Sequence, residues 1–163
     1  MVGMTLKDIK QIVSYDGRSG HFRWKQNRGR NARIGEIAGR LTFTGYRHIC
    51  IAQKEYLAHR LAWWFIHGEH PTSWVDHING KRDDNRIINL RVVTLTQSSH
   101  NARPKKNSTT GLKGVTPVGN RFMARIRFGG KRIHLGSFAS AEEAAEAYRN
   151  TALTLQGEYA PIE

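Results

Sequence analysis

The sequence predicts an α+β protein with two modules, and three observations support this prediction. The N-terminal part mixes helical and strand-like segments. A basic, polar stretch with a proline follows at 103–110 and is typical of a linker. The remaining residues contain three strand-like segments and one helical segment. We therefore expect a module at 1–102, a linker at 103–110 and, at 111–163, a small three-stranded antiparallel sheet packed on one helix.

The first module is expected to open with a helix, because Thr5 and Asp8 have the spacing of a capping box. Turn residues and alternating patterns then predict three short strands, at 22–24, at 46–51 and in a segment ending near Leu57. Between the first two of these strands, residues 25–35 are polar and basic and read as an exposed loop. An apolar run predicts a buried helix at 58–67, because Gly68 can end it and Pro71 prevents its continuation.

The last module shows the period of two that is typical of strands. In residues 121–128, four apolar residues share one face, and arginines occupy the other face together with Met123. Gly129-Gly130 predicts a hairpin turn into a second strand at 131–138. Residues 114–116 offer a third strand. A capping box at Ser140 opens a helix that we expect to run to about Gln156.

The charge of the chain favours a polyanionic partner. Lys and Arg number 26 against 13 Asp and Glu, which gives a formal net charge of +13. No acidic residue lies between Ala102 and Ser140. A narrow antiparallel sheet fits the DNA major groove, and arginine can bind guanine with two hydrogen bonds. The alternative is a merely solvated strand face, and RNA is disfavoured because the arginine strand lacks exposed aromatic residues for base stacking.

The cysteine content and hydropathy suggest where the protein works. Cys50 is the only cysteine, which excludes a disulfide framework and a cysteine-rich zinc site. The longest apolar run, residues 61–66, is far shorter than a membrane span, and the N-terminus lacks the apolar core of a signal peptide. We expect a reduced, intracellular and cytoplasmic protein with no membrane partner.

The segment 76–101 carries the chemistry. Asp76 and His77 stand side by side, Asn89 follows a polar loop, and His100 and Asn101 come about two dozen residues after the first pair. A carboxylate beside an imidazole, with a second ligand returning later, is the minimum set for one-metal phosphodiester hydrolysis. Together with the basic charge, this pattern predicts a metal-dependent DNA nuclease.

Two stretches resemble known families. The block W-V-D-H-I-N-G-K-R-D-D-N-R-I-I-N-L-R-V-V-T, with its lead-in Y-L-A-H-R-L-A-W-W-F, resembles the HNH endonucleases, above all the phage and intron homing endonucleases with a ββα-metal site. The segment from G-L-K-G-V to A-E-E-A-A-E-A-Y resembles the DNA-binding domain of plant ethylene-response transcription factors. The resemblances imply a nuclease, with motif core 56–102, that a C-terminal domain targets to double-stranded DNA. They also suggest a phage or prophage origin.

The resemblance to HNH nucleases implies a role for each site residue. His77 would be the general base, and Asp76 would bind one divalent cation, Mg²⁺, for which Mn²⁺ can substitute. Asn89 would be structural, tying down the loop and orienting His77. The last metal ligand departs from the family pattern, which usually has Asn or His where this chain has Ser98. Ser98 through a bound water, His100 or Asn101 can complete the site.

The same resemblances leave two functions open. In the first, the enzyme grips DNA through cations of the last module and the linker and cuts one strand or both; these cations are Lys105, Lys106, Arg121, Arg125, Arg127, Lys131 and Arg132. In the second, the chain is a DNA-binding regulator whose nuclease centre has decayed, an alternative that rests on Ser98. The sequence does not fix the oligomeric state.

Overall fold

The computed structural model describes residues 4–30, 32–100 and 108–160 and confirms the α+β class. The chain divides into two compact units, Met1–Thr94 and Leu95–Glu163. Residues 103–107 of the expected linker lie outside the described residues, so the position of the boundary stays a prediction. In the described part of the chain, no helix is both long and apolar enough to cross a membrane.

The first unit begins with a capped helix and a hairpin. Helix α1 spans Leu6–Ile12, and both hydrogen bonds of the predicted capping box are present between Thr5 and Asp8. Strands β1 (Val13–Asp16) and β2 (His21–Trp24) form an antiparallel pair. Val13 begins β1, because the helix ends one residue before it. Its side chain is nonetheless buried.

A second sheet follows, in the order β3-β4-β5. Strand β3 is Arg40–Leu41, β4 is Arg47–Ile51 and β5 is Lys54–Leu57. The β4–β5 turn consists of Ala52 and Gln53, both with positive φ, as a tight two-residue hairpin requires. The sequence did not predict β3, because two residues are too few to show a period.

The predicted buried helix is confirmed as α2, Ala58–His67. Gly68 ends it in the left-handed conformation, with φ of 79°, and donates its N–H to the carbonyl of Trp64. The helix packs on α1 and on the two sheets in one continuous core. The large side chains of this core that are fully buried include Phe22, Ile9, Ile49, Ile51 and Leu61.

A last hairpin closes the first unit and carries the motif. Strand β6 (Trp74–His77) pairs antiparallel with β7 (Leu90–Val93), which sets Asp76 opposite Arg91. A loop with a short 3₁₀ turn, Ile87–Asn89, connects the two strands. Helix α3 (Leu95–His100) comes next in the chain and belongs to the second unit. The chain order β6, β7, α3 is that of a ββα motif.

The second unit contains the predicted sheet and helix. Strands β8 (Val115–Val118), β9 (Arg121–Phe128) and β10 (Lys131–Phe138) are antiparallel, in the order β10-β9-β8. Helix α4 (Ala141–Gln156) begins where Ser140 accepts a hydrogen bond from the backbone N–H of Glu143. Its small side chains pack on the apolar sheet face, where the buried residues include Ala124, Ile126, Ala144, Ala145 and Ala152.

Candidate active site

Asp76 and His77 end strand β6, and the register of the β6–β7 pair determines their surroundings. Arg91 lies directly across from Asp76, and its guanidinium donates to Oδ2 of the carboxylate at 3.3 Å. Both side chains are partly buried. The ion pair therefore holds the carboxylate of Asp76 in a defined position.

His77 is 3% exposed, and its neighbour Asn85 is completely buried. Nε2 of His77 lies 3.1 Å from Oδ1 of Asn85, while Nδ2 of Asn85 donates to the carbonyl of Asp83 at 3.2 Å. Because the amide nitrogen is engaged with a carbonyl, the oxygen is the atom that faces His77. Nε2 of a neutral His77 then carries the proton, and Nδ1 carries the basic lone pair.

Burial lowers the pKa of His77, although the hydrogen bond to Asn85 and the charge of Asp76 act in the opposite direction. A histidine with a lowered pKa is neutral at pH 7. The neutral imidazole is the form that can take a proton from water. Both the charge state and the tautomer of His77 therefore suit a general base.

The N-terminal hairpin supports Asn85 from behind. The hydroxyl of Tyr15 donates to the backbone carbonyl of Asn85 at 2.7 Å. Gly20, in the β1–β2 turn, approaches the same backbone so closely that a Cβ there would lie 2.5 Å from the nitrogen of Arg86. Segments more than sixty residues apart in the sequence thus meet at the amide that holds His77.

Asn89 braces the loop between β6 and β7. Its Nδ2 donates to the carbonyl of Asp84 and to Oδ1 of Asn79, and its Oδ1 accepts from the N–H of Asn79. The resemblance implies this bracing role for Asn89. The hydrogen bond that orients His77 is made to Asn85 instead. The sequence pattern did not separate Asn85 from an ordinary turn residue.

Asp84 belongs to the same brace. Arg86 donates to both of its carboxylate oxygens, at 2.7 and 2.6 Å, and Asn79 donates to Oδ2 at 2.7 Å. The hydrogen bonds from Arg86 are the largest cause of the lowering of the Asp84 pKa to about 2. Asp84 is thus ionised at neutral pH and fixes the loop.

Two further rings lie close to His77. The ring of His59, on α2, lies 5.0 Å from that of His77, and Tyr46 contacts both histidines. His59 is 5% exposed, and burial lowers its pKa to about 3. His59 is therefore a core residue whose Nδ1 is left without a hydrogen-bond partner among the described residues.

Comparison with known proteins shows which family this segment of the chain is similar to. The HNH endonuclease family matches residues 56–101. An uncharacterized HNH endonuclease, L560, of Acanthamoeba polyphaga mimivirus is 32% identical over 97 residues, 58% of this chain and 50% of that protein. Protein 3.8 of Escherichia phage T7 is 31% identical over 105 residues, 63% of this chain and 86% of that protein. The chain belongs to the HNH endonuclease family.

The family match begins in β5 and ends just after α3, so it includes His59, Asp76, His77, Asn85 and Asn89. The N-terminal residues that support the HNH motif lie outside the matched segment. The chain spans half the length of the mimivirus relative. No solved structure matches the chain significantly.

The donor set of the HNH domain fits a divalent cation in part. Asp76 offers the carboxylate oxygen that Mg²⁺ prefers, and Mg²⁺ keeps several waters of its own. Among the described residues, no group of three or more His, Cys, Asp or Glu side chains comes together as a metal site. Ser98 and His100 lie on α3, in the second unit. The side chain of His100 and all of Asn101 lie outside the described residues, as do Lys105 and Lys106.

The second unit presents a basic surface on its sheet. Arg125 and Arg127 alternate along β9 with the buried Ala124 and Ile126, so they occupy the face turned away from α4. Arg132 pairs directly with Arg127 across the β9–β10 ladder. Arg121 shares the strand parity of these arginines and donates to the carbonyl of Ser137. We call Arg121, Arg125, Arg127 and Arg132 the arginine surface.

Lys131 differs from the other predicted DNA contacts of the sheet. It pairs with Phe128 at the hairpin end and has the strand parity of Ile133 rather than that of Arg132. Its side chain is exposed. The register therefore assigns Lys131 to the end of the hairpin rather than to the arginine surface.

Proposed function

We propose that the chain is a metal-dependent endonuclease that hydrolyses phosphodiester bonds in duplex DNA. The observation that carries this proposal is the geometry of His77, whose Nε2 is fixed by the buried Asn85; the adjacent residue, Asp76, offers a carboxylate that Arg91 holds in place. A neutral imidazole of defined tautomer next to a metal-binding carboxylate is the arrangement that one-metal hydrolysis needs.

In this mechanism, Nδ1 of His77 takes a proton from a water molecule, and the water oxygen attacks the phosphorus. The bond between phosphorus and the leaving 3′ oxygen breaks, which leaves a 5′-phosphate by analogy with the family. The amide oxygen of Asn85 accepts the hydrogen bond from Nε2–H of His77 throughout the reaction. It therefore stabilises the imidazolium that forms. Arg91 keeps the carboxylate of Asp76 in place.

Asp76 would hold the divalent cation, together with a ligand from Ser98, His100 or Asn101. When bound, the cation would neutralise charge that develops on the phosphate and on the leaving oxygen.

The second unit would hold the duplex through the arginine surface. Like charges directly opposite each other destabilise a strand pair, and Arg127 faces Arg132 across the ladder. A polyanion removes this repulsion. Arginines on a narrow antiparallel sheet can reach base edges in the major groove as well as phosphates. Lys105 and Lys106 would add sequence-independent phosphate contacts.

Cleavage of supercoiled plasmid tests the nuclease proposal. The native chain is expected to produce relaxed or linear DNA with Mg²⁺ or Mn²⁺ and no product with EDTA, and His77→Ala should remove the activity. His67→Ala is the matched control, because His67 is an exposed histidine at the end of α2. Equal loss of activity in both variants would contradict the role of His77. The ratio of relaxed to linear product distinguishes nicking from double-strand cutting.

The competing function is a DNA-binding regulator with a decayed nuclease centre, and the observation that favours it is Ser98. Serine is a weak metal ligand at a position where the family usually has Asn or His. The variant Ser98→Asn distinguishes the two proposed functions. If the native chain binds DNA without cutting it and Ser98→Asn cuts, the centre has decayed. If the native chain already cuts DNA, the nuclease centre has not decayed.

A further inference from the structure

The tip of the β3–β4 hairpin carries the most exposed large apolar side chain in the described part of the chain. Phe43 is 102% exposed, so none of the described residues covers its ring. The turn around it consists of Thr42, Phe43, Thr44 and Gly45. We call these four residues the hairpin tip.

The hairpin tip is rigid despite its exposure. Gly45 donates its N–H to the carbonyl of Thr42, and Thr42 donates its N–H to the carbonyl of Tyr46, both at 2.8 Å. Gly45 has φ of 85°, as the residue after a type I turn in a three-residue hairpin loop requires. The hydroxyls of Thr42 and Thr44 lie 2.7 Å apart. An aromatic ring on such a turn loses little backbone entropy when it binds.

Two arginines fix the hairpin to the loop that holds His77. Arg82 donates to the carbonyl of Thr44 at 2.7 Å, and its guanidinium lies 5.0 Å from the centre of the Tyr46 ring. Arg47 donates to both carboxylate oxygens of Asp83 at 2.8 Å. Asp83 in turn accepts the hydrogen bond of Asn85. The hairpin tip therefore has a fixed position relative to His77.

We propose that Phe43 is a wedge that inserts between adjacent base pairs of duplex DNA and so positions the strand at His77. This inference rests on the proposed function and assigns a DNA-positioning residue to the same site. Apolar side chains on DNA-bending proteins insert between base steps and kink the duplex. A single ring on a narrow turn matches one base step, whereas a protein partner needs a much larger contact surface.

The charge around the hairpin tip agrees with a polyanionic partner. Arg82 is exposed beside the tip, and the chain carries a net charge of +13. The stacking of a base on Phe43 would offset part of the cost of unstacking the base step. Because the tip is preorganised and attached to the catalytic loop, a kink at Phe43 would be transmitted to the position of the phosphate.

A topoisomer assay tests the wedge without knowledge of a target sequence. Closed circular plasmid is relaxed by a metal-independent topoisomerase in EDTA with bound His77→Ala protein, and the topoisomers are separated after the protein is removed. A wedge unwinds the base step, so the His77→Ala chain should shift the distribution toward negative supercoils. Adding Phe43→Ala should abolish the shift, and adding Phe43→Leu should retain much of it. Ile66→Ala, which removes an exposed apolar side chain on α2, should leave the shift unchanged.

The outcomes separate this inference from the proposed function. If the His77→Ala chain binds plasmid but shifts no topoisomers, or if Phe43→Ala leaves the shift intact, the wedge is wrong and the nuclease proposal stands. If the His77→Ala chain binds no DNA, both proposals fail. In the cutting-competent chain, Phe43→Ala should slow cleavage roughly tenfold, the size of one aromatic–base stack. A change of oligomeric state in Phe43→Ala without a topoisomer effect would identify a protein contact instead.

Discussion

At the scale of single residues, the site depends on a buried amide as much as on the Asp-His pair. Asn85 uses its side-chain oxygen for His77 and its side-chain nitrogen for Asp83, and its backbone oxygen accepts from Tyr15. Both polar atoms of the side-chain amide therefore have a partner. Replacement of Asn85 would disturb the tautomer of His77 and the loop together.

Asn85→Ala is expected to reduce the single-turnover cleavage rate roughly a hundredfold, because it removes the acceptor that orients the general base. The buried Nε2–H of His77 would lose its partner, which costs about 1–3 kcal/mol of stability. Cleavage should be measured at saturating protein, beside a urea titration of the same sample. A rate that falls only in proportion to the folded fraction would argue against an orienting role for Asn85.

His59 gives the first unit a pH-dependent stability. Its pKa is about 3 in the folded chain and 6.5 in a model peptide, so the unfolded state binds more protons between these values. Its contribution is complete above pH 6.5 and is lost as the pH falls, with a slope of up to about 1.4 kcal/mol per pH unit. His59→Leu should flatten this slope.

The measurement is a urea titration at pH 7.5, 6.0 and 5.0, followed by tryptophan fluorescence. All four tryptophans, at 24, 63, 64 and 74, lie in the first unit, so the signal reports that unit alone. His77 is present in both proteins, and the difference between their slopes therefore isolates His59. Parallel pH profiles for the two proteins would show that His59 does not resist protonation.

At the scale of elements, the N-terminal hairpin supports the HNH motif from outside it. The β1–β2 turn packs against the backbone of Asn85 and Arg86, and only a glycine at position 20 permits that approach. Hairpin β3–β4 is attached to the same loop through Arg47. Two hairpins from outside the family match therefore determine how rigidly the loop between β6 and β7 is held.

Gly20→Ala is expected to destabilise the first unit by about 1–3 kcal/mol, since φ of 75° is unfavourable for alanine. Its methyl group would also collide with the backbone of Arg86, so cleavage should fall through displacement of the loop. Gly17→Ala is the matched control in the same turn, because a Cβ there meets its nearest atom at 3.9 Å. Tryptophan-detected urea titration and plasmid cleavage compare the two variants. Equal behaviour would mean that the close approach of Gly20 does not support the site.

At the scale of the whole molecule, the two units carry different properties. Asp76, His77, their supporting loop and all tryptophans lie in the first unit, whereas the arginine surface lies in the second. Chemistry and duplex binding should therefore respond to separate substitutions.

Arg125→Ala with Arg127→Ala is expected to weaken duplex binding in the His77→Ala chain. The slope of log affinity against log salt should become less steep by about 0.9 for each phosphate that the two arginines neutralise. The charge-matched control is Lys7→Ala with Arg18→Ala, on exposed positions of the first unit. Fluorescence anisotropy of a labelled duplex at several salt concentrations measures both. If the two double variants weaken binding equally, only net charge matters and the arginine surface is not the binding face.

The sequence determined the features that repeat within a few residues. The capping box at Thr5, the end of α2 at Gly68 and the alternation of Arg125 and Arg127 with buried residues are all confirmed. The Asp76-His77 pair was recognisable because its two members are adjacent. Local periods and caps depend on neighbouring residues alone, so a single chain displays them directly.

Only the tertiary structure decided which residues surround His77. The sequence pattern did not separate Asn85 from an ordinary turn residue, and the contributions of Tyr15 and Gly20 come from a hairpin far away in the sequence. Strand β3 was too short to show a period, so the hairpin that carries Phe43 was not predicted. Contacts between distant segments arise from the packing of complete elements and leave no local pattern. The sequence by itself therefore indicated the Asp76-His77 pair, and the folded chain decided how that pair is held.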